Sequence, residues 1–365
     1  MKLSAPRDAI LKPLQAVIGV VERRQTMPIL ANVLLTTREN RLHVAATDLE
    51  VELVAETEVE IETPGEITVP GRKLHDICRA LPDGVDVELS VTGDRVTLKT
   101  ARSRFTLSSL RAEDFPVVEE IAAQQEVRVN QHGFRKLLEK THFSMAHQDV
   151  RYYLNGLLLE ADGYTLRAVA TDGHRLALSE LQLDTPAQKS EQVILPRKAV
   201  LELMRLLDGD GEVALSLGTN HLRVQLGPIQ FTSKLIDGRF PEYGRVIPTD
   251  VGKVITVDCS VMRHSLQRAA ILSNEKFRGV RLYVKEAMVT IRANNPDQEE
   301  AEEKLEVEYD GDEMEIGFNV NYLLDALGAV DEDRVQLGLS DANSSCLINC
   351  PTTTDTKFVV MPMRL

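Results

Sequence analysis

Leu30-Ala-Asn-Val-Leu-Leu-Thr-Thr-Arg-Glu-Asn-Arg-Leu-His-Val-Ala-Ala-Thr-Asp48 and Leu154-Asn-Gly-Leu-Leu-Leu-Glu-Ala-Asp-Gly-Tyr-Thr-Leu-Arg-Ala-Val-Ala-Thr-Asp172 follow one pattern. Each reads as an apolar strand, a turn, a second alternating strand and a closing Ala-Thr-Asp. The two aspartates lie 124 residues apart. Outward from this core the echo continues. Val69-Pro-Gly-Arg-Lys73 precedes a helical pattern ending at Leu81-Pro-Asp-Gly84, and Leu195-Pro-Arg-Lys198 precedes one ending at Leu207-Asp-Gly209. Ser103-Arg-Phe-Thr106 leads to Asp114-Phe-Pro116, as Gln230-Phe-Thr-Ser233 leads to Gly238-Arg-Phe-Pro241. A fainter third copy runs through Phe277-Arg-Gly-Val-Arg-Leu-Tyr-Val284, Met288-Val-Thr-Ile-Arg-Ala-Asn294 and Asn319-Val-Asn-Tyr-Leu-Leu-Asp-Ala-Leu327. Self-similarity at a fixed period marks a repeated structural unit. The 365 residues therefore divide into three similar domains, 1–122, 123–250 and 251–365.

One element order is predicted for each repeat. A helix comes first, over 5–20, 131–143 and 261–272, with Asn130 and Ser260 as N-caps of the second and third. Pro13 inside the first predicts a late start or a kink. Strands follow, then a second helix over 72–80, 197–207 and 320–329, then more strands. The fold class is α+β, with two helices packed on antiparallel sheet in each domain.

Hydrophobic residues at 43% and charged residues at 27% suit a globular chain, and no apolar run approaches the roughly 18 residues of a membrane span. The start, Met1-Lys2-Leu3-Ser4-Ala5-Pro6, is unlike a secretory signal, so a cytoplasmic location and no membrane partner are expected. Cys78, Cys259, Cys346 and Cys350 form no CxxC pair and have no histidine at ligand spacing, so buried thiols are expected rather than a metal site. No phosphate loop, dinucleotide fingerprint, zinc-protease motif or nucleophile elbow occurs, and no cofactor is expected.

The net charge of −14, from 42 basic and 56 acidic residues, argues against a generally basic surface. The bases nonetheless gather in the helices: Arg7, Lys12, Arg72, Lys73 and Arg79 in the first repeat, Arg135, Lys136, Lys140, Arg197, Lys198 and Arg205 in the second, Arg263 and Arg268 in the third. Acid gathers in strands and loops, at Glu50, Glu52, Glu56 to Glu62 and Asp297 to Glu303. Two readings stand: ordinary solvated helix faces, or a basic helical face able to hold a duplex by its phosphates without reading bases. Asp172 beside His174, and His147 near Asp149, invite an acid–base reading, against which a repeated Thr-Asp at a strand end suits a turn.

Ala146-His-Gln-Asp-Val-Arg-Tyr-Tyr-Leu-Asn-Gly156, Ala170-Thr-Asp-Gly-His-Arg-Leu176, Ala270-Ile-Leu-Ser-Asn-Glu-Lys-Phe-Arg-Gly279 and Val360-Met-Pro-Met-Arg-Leu365 resemble the bacterial DNA polymerase III beta subunits, the sliding clamps, and the resemblance covers the whole chain. It implies a head-to-tail homodimer closed into a ring around double-stranded DNA, with helices lining the hole, no catalysis, and docking of DNA polymerases, the clamp loader and other proteins that carry the clamp-binding motif. Contacts to DNA are implied for Arg24, Arg72, Gln148, Tyr152, Tyr153, Arg197 and Lys198, although Tyr152 and Tyr153 also admit a core reading. A partner-peptide cleft is implied at Leu154, Thr171, Gly173, His174, Arg175, Leu176, Pro241, Arg245, Val246, Phe277, Asn319, Tyr322, Ser345, Val359, Val360, Met361, Pro362, Met363 and Arg364. There the Phe358–Met363 stretch also reads as a closing edge strand. The dimer interface is implied to pair Arg102, Arg104, Phe105 and Leu107 with Ile271, Leu272, Gln298, Glu299 and Glu300, against a core reading of Phe105 and Leu107. The other function classes are a hydrolase using Asp172 and His174, and a sequence-reading DNA-binding regulator.

Overall fold

The computed structural model describes residues 1–22, 27–116 and 125–364. The chain forms two compact units. One contains 1–132, 187–189 and 198–235; the other contains 133–186, 190–197 and 236–365. The division falls within the second repeat, because strands of neighbouring repeats share sheets.

Among the described residues there are six α-helices: α1 (Arg7–Val17), α2 (Gly71–Ala80), α3 (Gln131–Glu139), α4 (Arg197–Leu206), α5 (Cys259–Ala270) and α6 (Val320–Gly328). Two per repeat agrees with the sequence pattern. The first elements differ: a short strand precedes each first helix, at Lys2–Pro6, Gln125–Asn130 and Lys253–Asp258. α1 therefore starts at Arg7, after Pro6, and runs through Pro13. α3 is shorter than expected, giving way to a 3₁₀ turn at His142–Ser144. Ser260 lies inside α5; the cap is Asp258, whose carboxylate accepts from the Val261 amide at 2.8 Å.

Helices on antiparallel sheets are observed, but the strands of one repeat are divided between two sheets. The first unit holds a five-stranded and an eight-stranded sheet, the second an eight-stranded and a four-stranded one. In the first eight-stranded sheet, strand Ile229–Lys234 of repeat two pairs with Val51–Glu58 of repeat one, setting Phe231 opposite Leu53 and Ser233 opposite Val51. In the other, Thr356–Val360 of repeat three pairs with Arg175–Gln182 of repeat two, setting Phe358 opposite Ala177 and Val360 opposite Arg175. The register is the same in repeat terms. Phe231 and Phe358 are both buried, as are Leu53 and Ala177 opposite them.

The four cysteines are free and buried, as expected. No helix is long and apolar enough to cross a membrane, and no cluster of three metal-ligating side chains occurs among the described residues.

Phe231→Ala should lower the unfolding free energy by about 3–5 kcal/mol, because the ring is fully enclosed and the sheet cannot collapse onto the void. Denaturant titration of the purified chain checks it.

Candidate docking cleft and nucleic-acid interface

The Ala-Thr-Asp motif is a turn, built twice. In the second repeat the Asp172 carboxylate accepts from the His174 and Arg175 amides at 2.9 and 3.1 Å and from Arg175 Nε at 3.1 Å, while Thr171 Oγ1 donates to the Arg175 carbonyl at 2.6 Å. In the first, Asp48 accepts from the Glu50 and Val51 amides at 2.9 and 2.7 Å, and Thr47 Oγ1 donates to the Val51 carbonyl at 2.9 Å. Both turns need a left-handed residue, Gly173 at φ 87° and Leu49 at φ 78°. Asp172 is thus committed to the turn and to Arg175 rather than to orienting His174. The hydrolase reading has no triad geometry to rest on.

The turn ends among the residues implied for the partner-peptide cleft, which belong to the second unit. Leu154, Leu176 and Val359 are buried, and Leu176 and Val359 face each other across the strand pair Arg175–Gln182 and Thr356–Val360. The tail after Val360 is held at two points: the Met361 amide donates to the His174 carbonyl at 2.9 Å, and the Met363 amide to the Gly317 carbonyl at 2.7 Å. Met361, Val246 and Phe277 are exposed apolar groups, with Pro241, Arg245 and Arg364 also exposed. Pro362, Met363 and Ser345 are half-buried, and buried Val360 closes the strand, so the terminal stretch is both an edge strand and a rim. Beside Phe277 and Met363 opens a cavity of 460 Å³. A larger one, of 1150 Å³, lies between Ser4–Pro6 and Glu58–Ile61 and touches no candidate residue.

Arg175 is the best-anchored side chain here. It pairs with Asp172 and Asp325, donates to the Phe143 carbonyl at 2.7 Å and lies 4.5 Å from the Tyr322 ring centroid. Asn319 caps α6, accepting from the Asn321 amide at 2.9 Å, and its own amide reaches the Phe277 carbonyl at 3.4 Å. Arg175 and Asn319 therefore shape the site as much as they line it.

The residues implied for DNA divide between the units. Arg72 and Lys198 belong to the first; Gln148, Tyr152, Tyr153 and Arg197 to the second; Arg24 lies outside the described residues. Arg72 Nη2 donates to the Val21 carbonyl at 2.6 Å, while its buried Nε has no partner among the described residues. Arg197 Nη1 is likewise buried and unpartnered, and burial, then the charge of Arg175, pulls its pKa down. Lys198 differs, being paired with Asp48 and with Glu22 at 3.2 Å. Tyr152 is exposed, whereas Tyr153 packs against the Leu158–Val169–Leu178 cluster. Gln148 is exposed at φ 53°, on a loop clamped by Asp149, which accepts from Arg151 Nε and Nη2 at 3.0 and 2.9 Å.

Many of the helix bases are ion-paired within the fold. Arg7 is buried, bonded to the Leu81 carbonyl and paired with Asp8 and Asp83. Arg135 pairs with Glu139, Lys136 and Lys140 with Asp331, Arg205 with Glu202, Arg268 with Glu303 and Arg79 with Asp76. Among the described residues, Lys12, Arg72, Lys73, Arg197 and Arg263 have no carboxylate at ion-pair distance.

At the implied interface, Arg102 and Arg104 are exposed while Phe105 and Leu107 are half-buried on the sheet-edge strand Arg104–Ser108. Ile271 is 75% exposed and Leu272 half-buried just beyond α5. Gln298, Glu299 and Glu300 are exposed where another sheet-edge strand, Glu300–Glu306, begins.

Sequence reasoning passed over Tyr243, Glu160 and Arg167, which bind the cleft's Pro241–Val246 side to the sheet. Arg167 facing Glu160 in the strand pattern was the available signal.

The Arg151 hydrogen bonds are the main force holding Asp149 down to a pKa of about 2. The folded value lies below the free carboxyl's, about 3.9. The clamp therefore contributes above pH ~4 and is lost as pH falls through about 2. Carbon-detected NMR titration should place the Asp149 midpoint near 2, and Arg151→Ala should return it towards ~4.

Family models of the N-terminal, central and C-terminal domains of the DNA polymerase III beta subunit match residues 1–119, 128–242 and 244–364. The chain is 53% identical to the beta sliding clamp of Pseudomonas aeruginosa and 49% identical to that of Escherichia coli K12, each over the full length of both chains. Crystal structures of the P. aeruginosa beta subunit superpose with TM-scores of 0.98 and, for one bound to griselimycin, 0.97, at 52% identity and full coverage of both chains. The Caulobacter crescentus pol III beta structure gives 0.96 at 40%, again over both chains entire. The three-domain fold, the repeated turn and this agreement along the whole length lead to one conclusion: the chain belongs to the DNA polymerase III beta subunit family and is a DNA sliding clamp.

Proposed function

We propose that two copies of this chain close head to tail into a ring that encircles double-stranded DNA and tethers DNA polymerases, without catalysis of its own. The carrying observation is the unfinished third joint. Phe105 faces Leu98 in its hairpin as Phe231 faces Val224 and Phe358 faces Ile348. Ala301 faces Ala293 as Leu53 faces Ala46 and Ala177 faces Ala170. Phe231 and Phe358 are buried against the preceding repeat, whereas Phe105 is half-exposed on an edge strand, and Ala301 sits on another. An unpaired edge is a template for a further strand. Carried over, the register sets Phe105 against Ala301 of the partner subunit, Arg104 against Glu302 of the partner subunit and Thr106 against Glu300 of the partner subunit. The opposite charges of Arg104 and the partner's Glu302 lie beside an apolar centre that Leu107, Ile271 and Leu272 extend, with Arg102 and the Gln298–Glu300 corner at the two ends of the joint. Two heterologous contacts of this kind close a ring.

The domain bounds on this reading are 1–122, 123–250 and 251–365. Arg24, Arg72, Gln148, Tyr152, Arg197 and Lys198 meet phosphates, with Tyr153 supporting the loop from behind; the location is the cytoplasm. The cleft from Leu154 and Thr171–Leu176 through Pro241–Val246, Phe277, Asn319, Tyr322 and Ser345 to Val359–Arg364 takes griselimycin, named with the P. aeruginosa clamp, and the short motifs of polymerases, clamp loader and repair proteins. Pliable Met361 and Met363 at its rim suit several partners.

A chain carrying Thr106→Cys and Glu300→Cys tests the ring. Oxidation should give a covalently closed dimer that stays on nicked circular DNA in high salt and leaves once the DNA is linearised. Cross-linking through Glu302→Cys instead, or retention on linear DNA, would contradict the register or the encirclement. Separately, Arg197→Ala should lower the slope of log affinity against log salt by about one unit for all sequences alike. Loss at a single sequence would favour a regulator.

A further inference from the structure

Four side chains form a polar row across the sheet of the second unit. Gln192 faces Glu160, Glu160 faces Arg167 and Arg167 faces Glu180 on successive antiparallel strands Glu191–Pro196, Gly156–Asp162, Thr165–Thr171 and Arg175–Gln182. The neighbouring row on the same face is Ile194, Leu158, Val169 and Leu178, wholly apolar and buried. The chain after Ile236 lies over both rows. It is tied at its start by the Ile236 amide to the Ile194 carbonyl at 2.9 Å, and Ile236, Phe240, Tyr243 and Ile247 pack on the apolar row.

Tyr243 alone of these reaches the polar row. Its hydroxyl donates to Glu160 Oε2 at 2.5 Å and accepts from Arg167 Nη1 at 3.1 Å. The same Arg167 nitrogen donates to Glu160 Oε2 at 2.8 Å, Gln192 donates to Oε1 at 2.9 Å, and Arg167 Nε donates to Glu180 at 2.6 Å. Glu160 is 8% exposed. A buried carboxylate needs such satisfaction, and a network of this kind enforces one geometry on the groups that complete it. Burial alone would raise the Glu160 pKa, but the bonds from Tyr243, Gln192 and Arg167 outweigh it and keep it lowered. Burial, then Glu160, lifts Tyr243 to about 12, so the phenol stays protonated and able to donate.

Pro241, Arg245 and Val246 flank Tyr243 in this segment, and Tyr243 opens the 3₁₀ turn whose Val246 amide donates back to the Tyr243 carbonyl at 3.0 Å. We propose that Tyr243 is a positioning residue for docking: its hydroxyl, received by Glu160 and Arg167, latches the Pro241–Val246 wall at one height above the sheet. The proposal rests on the cleft reading given above.

Tyr243→Phe removes the latch and keeps the ring that packs on the apolar cluster. With griselimycin as the probe, its Kd should rise about ten- to a hundredfold, the range of one hydrogen bond to a charged group. Exchange of the Arg245 and Val246 amides should quicken about tenfold while that of strand Thr165–Thr171 stays unchanged. Glu160→Gln, which leaves an amide oxygen to accept from Tyr243, should fall between Tyr243→Phe and the unaltered chain. A purely structural role would instead lower the thermal midpoint and leave the Kd of the folded protein unmoved; that result overturns the proposal. Val246→Asp separates the two readings. If it weakens griselimycin and Tyr243→Phe does not, the latch is wrong and the cleft stands. If the unaltered chain does not bind griselimycin, or Val246→Asp has no effect, both fall.

Discussion

Everything in this molecule hangs on the antiparallel pairing of a strand from one repeat with a strand from the preceding one. At both joints a phenylalanine, Phe231 or Phe358, is sealed beside the adjoining sheet strand. A repeat cannot bury that ring alone, since its own hairpin covers only one side. This makes neighbouring repeats interdependent, and it explains why compactness divides the chain inside the second repeat. Arg104–Ser108 in the first repeat and Glu300–Glu306 in the third are both sheet-edge strands, and their charges are opposite in sign.

The same constraint locates the cleft. Strand Arg175–Gln182 begins at the Thr-Asp turn, and Thr356–Val360 ends opposite it, so the joint brings a turn and a chain tail together over a shared apolar floor. In the first repeat the corresponding turn carries Leu49 and Glu50 where the second has Gly173 and His174. One scaffold thus carries different side chains in the two copies, a plain connection in one and the proposed wall of the docking cleft in the other.

The repeat and the pairs of helices were legible in the sequence because hydrophobic period and the Ala-Thr-Asp echo survive at fixed spacing. The strands before α1, α3 and α5 were not, since Lys2–Pro6 is too short to show a period and ends in proline. Nor was the sharing of strands between sheets, because the partner of a strand is set by contacts distant in sequence. Charge was the least legible property. Arg7 and Lys12 look alike in a helical pattern, yet Arg7 is bound to Leu81 and Asp83 across the fold, while Lys12 is exposed. At the cleft, resemblance supplied the lining residues, but Tyr243 and Glu160 carry no motif, and their importance comes from a bond between residues far apart in the chain.

The thiols have a practical consequence. Burial pushes Cys78 and Cys346 up to about 12 and raises Cys259 and Cys350 as well. At neutral pH the thiolate fraction of the first two is on the order of one in 10⁵, and only the thiolate reacts. Those two thiols are therefore nearly silent to maleimides and disulfide exchange. Burial slows Cys259 and Cys350 as well, so a fluorophore or a cross-link at an introduced, exposed cysteine will form ahead of reaction at the native ones.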